Sequence, residues 1–167
     1  KADILLIGDR HLFEMGQAQA GTEIEMLACD AHKGDWTDIG GLAIHERETI
    51  AVDDVRLAEV TYPNGHSALS NLNCALEMAR EGIIDAITFG PFNKAALIEA
   101  GLGHEDELHH MAEFLGVEGY ISELNTLNGI WTSRVSSHIA LKDVASYITE
   151  HRITEAVHLI DRTLRRS

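Results

Sequence analysis

The stretch Phe89-Gly90-Pro91-Phe92-Asn93-Lys94, followed by Gly101-Leu102-Gly103-His104-Glu105, decides how this chain is read. An apolar run over residues 83–89 leads into it and has the character of a buried strand. Pro91 ends such a strand, and Lys94 opens a short helix over residues 94–100 that Gly101 closes. The glycine turn then delivers His104 to the start of a further helix, expected over residues 104–115 with Leu108, Met111, Ala112 and Leu115 as its apolar stripe. A second point of this kind lies at Ser136-Ser137-His138, after an apolar run. In an α/β protein, residues just past strand ends are the ones that meet ligands.

The rest of the chain fits that frame. Residues 4–7 read as a buried parallel-sheet strand, with a helix from Asp9 to about Ala20 and a second strand over residues 23–29. Residues 30–41 are polar and rich in Gly and Asp, which indicates a surface loop. Residues 44–60 are expected to hold one or two short strands. Pro63-Asn64-Gly65 reads as a turn, and a helix with Leu69, Leu72, Leu76 and Ala79 at helical spacing runs from Gly65 to a stop at Gly82. Two strands, residues 119–124 and 130–136, are expected around the hairpin signal Asn128-Gly129. Residues 143–148 and 154–164 read as helices. Strands alternating with helices give an α/β fold, largely parallel, with an antiparallel excursion near Trp131.

The 167 residues suffice for one domain with a real core. A net charge of −14 argues against nucleic acid as a partner. No apolar run is long enough to span a bilayer and no signal peptide is evident. The two cysteines, Cys29 and Cys74, read as small buried residues, and such sparing use fits a reducing cytoplasm. No cysteine cluster suggests zinc. The chain lacks an initiator methionine and stops in a helix, so both ends are expected to be cut from something longer.

Individual side chains leave alternatives open. Lys94 can meet a carboxylate or phosphate as a point charge, or be a solvated lysine in a first helical turn. His104 can donate to an anion or shuttle a proton, or simply occupy a helix start. His109, four residues past Glu105, can pair with it across a turn, although a solvated face is the plainer account of His109 and His110. His138 suits a transition metal, but one histidine cannot hold one. His66 could cap a helix or line the cleft, and Arg134 could face a partner subunit. No dinucleotide or P-loop fingerprint is present.

Taken in order, Asn64-Gly65-His66, Gly90-Pro91-Phe92-Asn93-Lys94, Ala100-Gly101, Gly103-His104-Glu105-Asp106 and Ser136-Ser137-His138, with Leu141 and Asp143-Val144 behind them, resemble the 4-hydroxythreonine-4-phosphate dehydrogenase family. The resemblance covers nearly the whole chain. It implies a three-layer α/β/α fold of the isocitrate-dehydrogenase kind and a homodimer with its site at the interface. It implies NAD as cofactor and a divalent metal (zinc, magnesium, manganese or cobalt) held by three histidines. The implied reaction oxidises a secondary alcohol beside a carboxylate, and the β-keto acid can then lose carbon dioxide. His138 matches a metal histidine, His104 a substrate-binding histidine, and Lys94 the lysine of the proline-x-x-lysine turn, placed as catalytic through contact with an anion.

Two departures from the family accompany this match. Glu105 and Asp106 stand where the family has threonine and glutamate. Glu105 thus takes a substrate-binding position with a carboxylate that repels phosphate, which raises an unphosphorylated hydroxy acid or a dihydrodiol as substrate. The two other metal histidines and most of the cofactor site are expected beyond residue 167, so the chain reads as an N-terminal part, with a first lobe over about residues 1–90 and the start of a second over 91–167. By itself it is expected to be inactive. The alternatives are a non-catalytic binding or assembly domain that keeps the fold, and an acyl- or phosphoryl-transferase that would not need His138.

Overall fold

A computed structural model describes residues 2–34, 36–104, 106–137 and 139–166. The apolar runs predicted as strands form a three-stranded parallel sheet of β1 (Leu5–Gly8), β2 (Met26–Cys29) and β3 (Leu42–Glu46), in the order β1-β3-β2. Leu5 lies opposite Ala43, and Met26 opposite Leu42. The central strand is the most buried, with Ile44 fully enclosed. Parallel strands need crossovers of about a dozen residues or more. Helix α1 (Arg10–Ala20) lies in the first, and the polar stretch 30–41 makes the second.

Asp9 follows β1 at the N-cap position of α1, yet its carboxylate does not cap that helix. It is 1% exposed and turns to the chain beyond β3. Its Oδ1 accepts from the Thr49 N–H at 2.8 Å and the Ile50 N–H at 3.2 Å. Its Oδ2 accepts from the Thr49 hydroxyl, whose oxygen lies 2.7 Å from Ser67 Oγ. A carboxylate can be buried here because these donors replace its water.

Helix α2 (Tyr62–Arg80) carries much of the core. The expected turn at Pro63-Asn64-Gly65 is instead the helix's first turn. Thr61 caps it by accepting from the Asn64 N–H at 3.3 Å, and a proline is tolerated where the N–H would have no helical partner. Leu72, Cys74, Ala75, Leu76 and Met78 are buried. Full burial of side chains such as Leu76 and Met78 contributes about 1.5–3 kcal/mol each. Cys74 and Met78 pack with Ala31, and Leu5, Ile7, Trp36, Ile83 and Ile84 close around them.

Residues 83–89 do not form the expected strand. Their apolar character has another use, since Ile83 and Ile84 fill the core beneath α2, and Phe89 stacks on Phe92 at 4.6 Å. An apolar run becomes a strand only where a neighbour offers a ladder, and the described ladder here ends with β1, β2 and β3. In the span 44–60, β3 is followed by a single 3-10 turn, Val52–Asp54. The short helix at Lys94 forms as read: α3 (Lys94–Glu99) is capped by Asn93, which accepts from the Ala96 N–H at 3.2 Å. Helix α4 (Glu107–Phe114) starts later than expected, because Asp106 rather than His104 serves its first turn.

By its contacts the chain divides into two compact units, one up to His110 and one from Met111. The second contains a short antiparallel hairpin, β4 (Asn125–Leu127) and β5 (Ile130–Thr132), with Asn128 and Gly129 both at positive φ. That turn matches the sequence signal. The strands are shorter than read, and residues 119–124 lie outside the ladder. Tyr120 donates instead to the Arg134 carbonyl, and Arg134 pairs with Glu123. Helices α5 (Val144–Tyr147) and α6 (Glu150–Leu164) follow; Thr149 caps α6, and Arg152 lies 4.3 Å over the Tyr147 ring. Among the described residues no helix is long and apolar enough to cross a membrane.

Gly65 is the tightest point of the first unit. A Cβ there would stand 1.9 Å from the Ala96 carbonyl oxygen, a backbone atom of α3 that cannot step aside. Gly65→Ala is therefore expected to cost at least about 2–3 kcal/mol, read as a lower urea midpoint of the full-length protein. An unchanged midpoint would show that α2 and α3 can separate freely.

Candidate functional site

The site is built where α2, α3 and α4 begin. Gly65 allows α2 to lie directly on α3, and the Asn93 cap fixes the first turn of α3 with Lys94 as its first residue. Lys94 Nζ lies 3.8 Å from Glu107 Oε2, the first residue of α4. The pair links the proline-turn segment to the segment that carries His104. At that distance, and with the lysine half exposed, it is a loose ion pair that an incoming anion can compete for.

A cavity of about 340 Å³ lies beside this point. The chain at Val55–Glu59 forms one wall, and Pro91, Phe92, Asn93 and the start of α2 form the others. Asn64 holds that wall: its side-chain amide donates to the carbonyls of Arg56 at 2.7 Å and Glu59 at 3.3 Å. Arg56 donates to the carbonyls of Asp53 and Val55, which folds its guanidinium over the preceding turn. Arg56 is the cation among the cavity's lining residues, and the sequence reading missed it. Nothing in its local pattern distinguishes it from a surface arginine. A larger groove of about 430 Å³ runs along the last turns of α6, lined by Leu159, Arg162, Thr163 and Arg166; neither Lys94 nor His104 lines it or the smaller cavity.

His104 is half-buried, and its ring centroid lies 6.1 Å from that of His110. His110 Nε2 is 2.7 Å from Asn73 Oδ1, so the ring donates to α2 and is fixed by it. Asp106 is buried and serves two groups on its own helix. Its Oδ1 accepts from the His109 N–H at 2.9 Å and lies 2.6 Å from His109 Nδ1. His109 thus pairs with Asp106; Glu105, its expected partner, lies outside the described residues. His138 lies outside them as well. His66 is exposed and stacks on Tyr62 at 5.7 Å, away from any capping role. Of the two cysteines, Cys74 is buried as expected and Cys29 is half-buried; burial pushes both thiols up from their ordinary pKa, with Asp30 adding to the effect at Cys29.

A parallel sheet flanked by helices, with Lys94 and His104 near helix starts beyond a proline turn, defines an α/β protein. The chain belongs to the family described as pyridoxal phosphate biosynthetic protein PdxA, whose profile matches residues 1–167. It is 42% identical, over its whole length and 50% of the relative, to a Pseudomonas aeruginosa PAO1 protein provisionally named 4-hydroxythreonine-4-phosphate dehydrogenase 2. A Rhizobium meliloti protein of the same provisional name is 37% identical over 98% of this chain and 47% of its own. The crystal structure of 4-hydroxythreonine-4-phosphate dehydrogenase from Klebsiella pneumoniae superposes with a TM-score of 0.82 at 21% identity, covering 97% of this chain and 49% of that one, which shows the shared α/β fold. The chain spans about half the length of the curated relatives it matches.

The Asp106 cap gives a separable prediction. Asp106→Ala is expected to lower stability by about 1–2 kcal/mol, whereas Asp106→Asn, which keeps a capping oxygen, retains most of it. Urea unfolding of the two variants decides it; equal losses would mean that the charge facing His109, not the cap, carries the effect.

Proposed function

We propose that the protein is an NAD- and divalent-metal-dependent dehydrogenase that oxidises a secondary alcohol in a small phosphorylated hydroxy acid of the 4-hydroxythreonine-4-phosphate type. Loss of carbon dioxide from the resulting β-keto acid completes the proposed reaction. The observation that carries this reading is the family match along all 167 residues, joined to relatives named for that activity. Those names favour the phosphorylated substrate over the unphosphorylated acid or dihydrodiol that Glu105 raised.

In this reading Lys94 leaves Glu107 to meet an anionic group of the substrate, and the cavity wall of Pro91, Phe92 and Asn93 excludes water beside it. His104 donates to a substrate oxygen and is held in a fixed neighbourhood by His110 and Asn73. Bound NAD would supply the acceptor for the carbinol hydride, with the hydroxyl proton passing to a base. His138 is this chain's contribution to the metal; a bound divalent ion would polarise the alcohol oxygen and stabilise the enolate. The described residues contain no set that reproduces the three-histidine site, so no step is assigned through the metal. The proposal includes a cytoplasmic homodimer, supported by the exposed apolar side chains Leu127 and Ile130 on the hairpin, which need cover.

The test is NADH formation by the full-length protein with added divalent metal, offered 4-hydroxythreonine-4-phosphate and its dephosphorylated form. Turnover of the phosphorylated compound is expected. Lys94→Met should lower kcat/KM about 10–100-fold, the scale of one charged hydrogen bond, and His104→Ala by a similar factor. Preference for the dephosphorylated compound would overturn the substrate assignment. Folded protein with no turnover of either would favour the non-catalytic binding domain.

A further inference from the structure

Outside this pocket, the fold gathers a second set of chemically competent side chains. His32 stands on the connection after β2, His45 on β3 and Cys74 on α2. One ligand atom from each lies within 4.8 Å of the other two. The two rings meet edge to face, with centroids 5.5 Å apart. We infer that His32, His45 and Cys74 form a binding site for a zinc-like divalent metal, which staples the connection after β2 to the sheet and to α2.

The donor set is two imidazoles and one thiolate, which suits a tetrahedral, borderline-soft ion and not magnesium or calcium. Zinc at ordinary bond lengths needs ligand atoms about 3.3–3.6 Å apart. The present separations must close by roughly 1 Å, within reach of side-chain rotation alone. His32 is exposed and free to turn. Its Nδ1 lies 3.2 Å from Glu81 Oε2, so a ring that donates there presents Nε2 as its lone-pair nitrogen. A carboxylate behind a histidine is the usual outer partner of a zinc ligand, fixing its tautomer and raising its basicity. His45 Nδ1 receives the Ala31 N–H over 3.4 Å, at the long limit of a hydrogen bond, and the ring also bonds the Cys29 backbone, so a metal would replace one of these contacts.

The charges around the site are mixed. Arg47 reaches the Cys74 sulfur and its positive charge opposes a cation while favouring the thiolate. Asp30, Glu77 and Glu81 lie on the other side of the balance. On binding, the Cys74 S–H bond breaks, its proton leaves to solvent, and the sulfur lone pair forms the metal bond. Water takes the fourth position. The burial of Cys74 restricts access, and entry lies on the His32 side, where the ring is exposed.

The experiment is a cobalt(II) titration of metal-stripped full-length protein. Thiolate-to-cobalt charge transfer marks a cysteine ligand, a signature that a site of histidines alone cannot give. The expected result is a thiolate band that saturates at one cobalt per chain, is removed by zinc, survives Cys29→Ser and is lost in Cys74→Ser. Because Cys74 is in the core, His32→Ala is the second variant, at an exposed position, and should weaken cobalt binding at least about tenfold. Absence of a thiolate band, or a band whose affinity is unchanged in His32→Ala, would overturn the assignment. No outcome depends on dehydrogenase activity, so the proposed function and this site stand or fall separately.

Discussion

The contact of Gly65 with the Ala96 carbonyl governs how the first unit is assembled. It leaves no space for a side chain at position 65 and sets the first turns of α2 and α3 against each other. Everything that follows in the pocket depends on that approach. The Asn93 cap, the position of Lys94 and the wall that Asn64 builds from Arg56 and Glu59 all lie within one helical turn of it. The site is therefore positioned by backbone packing between two helix starts. The side chains of Asn64 and Asn93 then pin the wall and the first turn of α3 to that frame.

The acidic balance of the chain gives the few cations at this pocket more weight. With a net charge of −14, a small anion meets repulsion over much of the surface. Arg56 interrupts that field in the cavity lining and Lys94 follows the cavity's Asn93 in the chain, and each is held by acceptors that are weak or shared. Lys94 has one long ion pair, and Arg56 spends part of its guanidinium on two carbonyls. Buried carboxylates elsewhere are committed to backbone donors: Asp9 to Thr49 and Ile50, Asp106 to His109. They stabilise the turns whose N–H groups they accept from.

The sequence disclosed the parts of this structure that are local. β1, α1 and α3 follow from apolar runs and helix stops, and Asn128-Gly129 announced its hairpin because both residues accept positive φ. The motif around Lys94 and His104 was legible because its spacing is short and ordered. Residues 83–89 misled for a physical reason, since Ile83 and Ile84 are half-buried by packing against the core and not by a ladder, and periodicity cannot tell the two apart. The start of α2 was misread because Pro63 signals a turn and a first helical turn equally well. His32, His45 and Cys74 were invisible as a group. Strand register and a helix packed on the sheet bring them together, and neither leaves a spacing in the sequence.

The strand order β1-β3-β2 has a consequence for the growing chain. Among the described strands, β1 and β2 do not touch, and each pairs only with β3. Until residues 42–46 have been made, neither earlier strand has a ladder available to it. The sheet forms at one moment, when β3 is complete, and the Asp9 clamp follows as soon as Thr49 and Ile50 arrive. Synthesis order thus makes β1 and β2 wait on β3 before either can join the sheet.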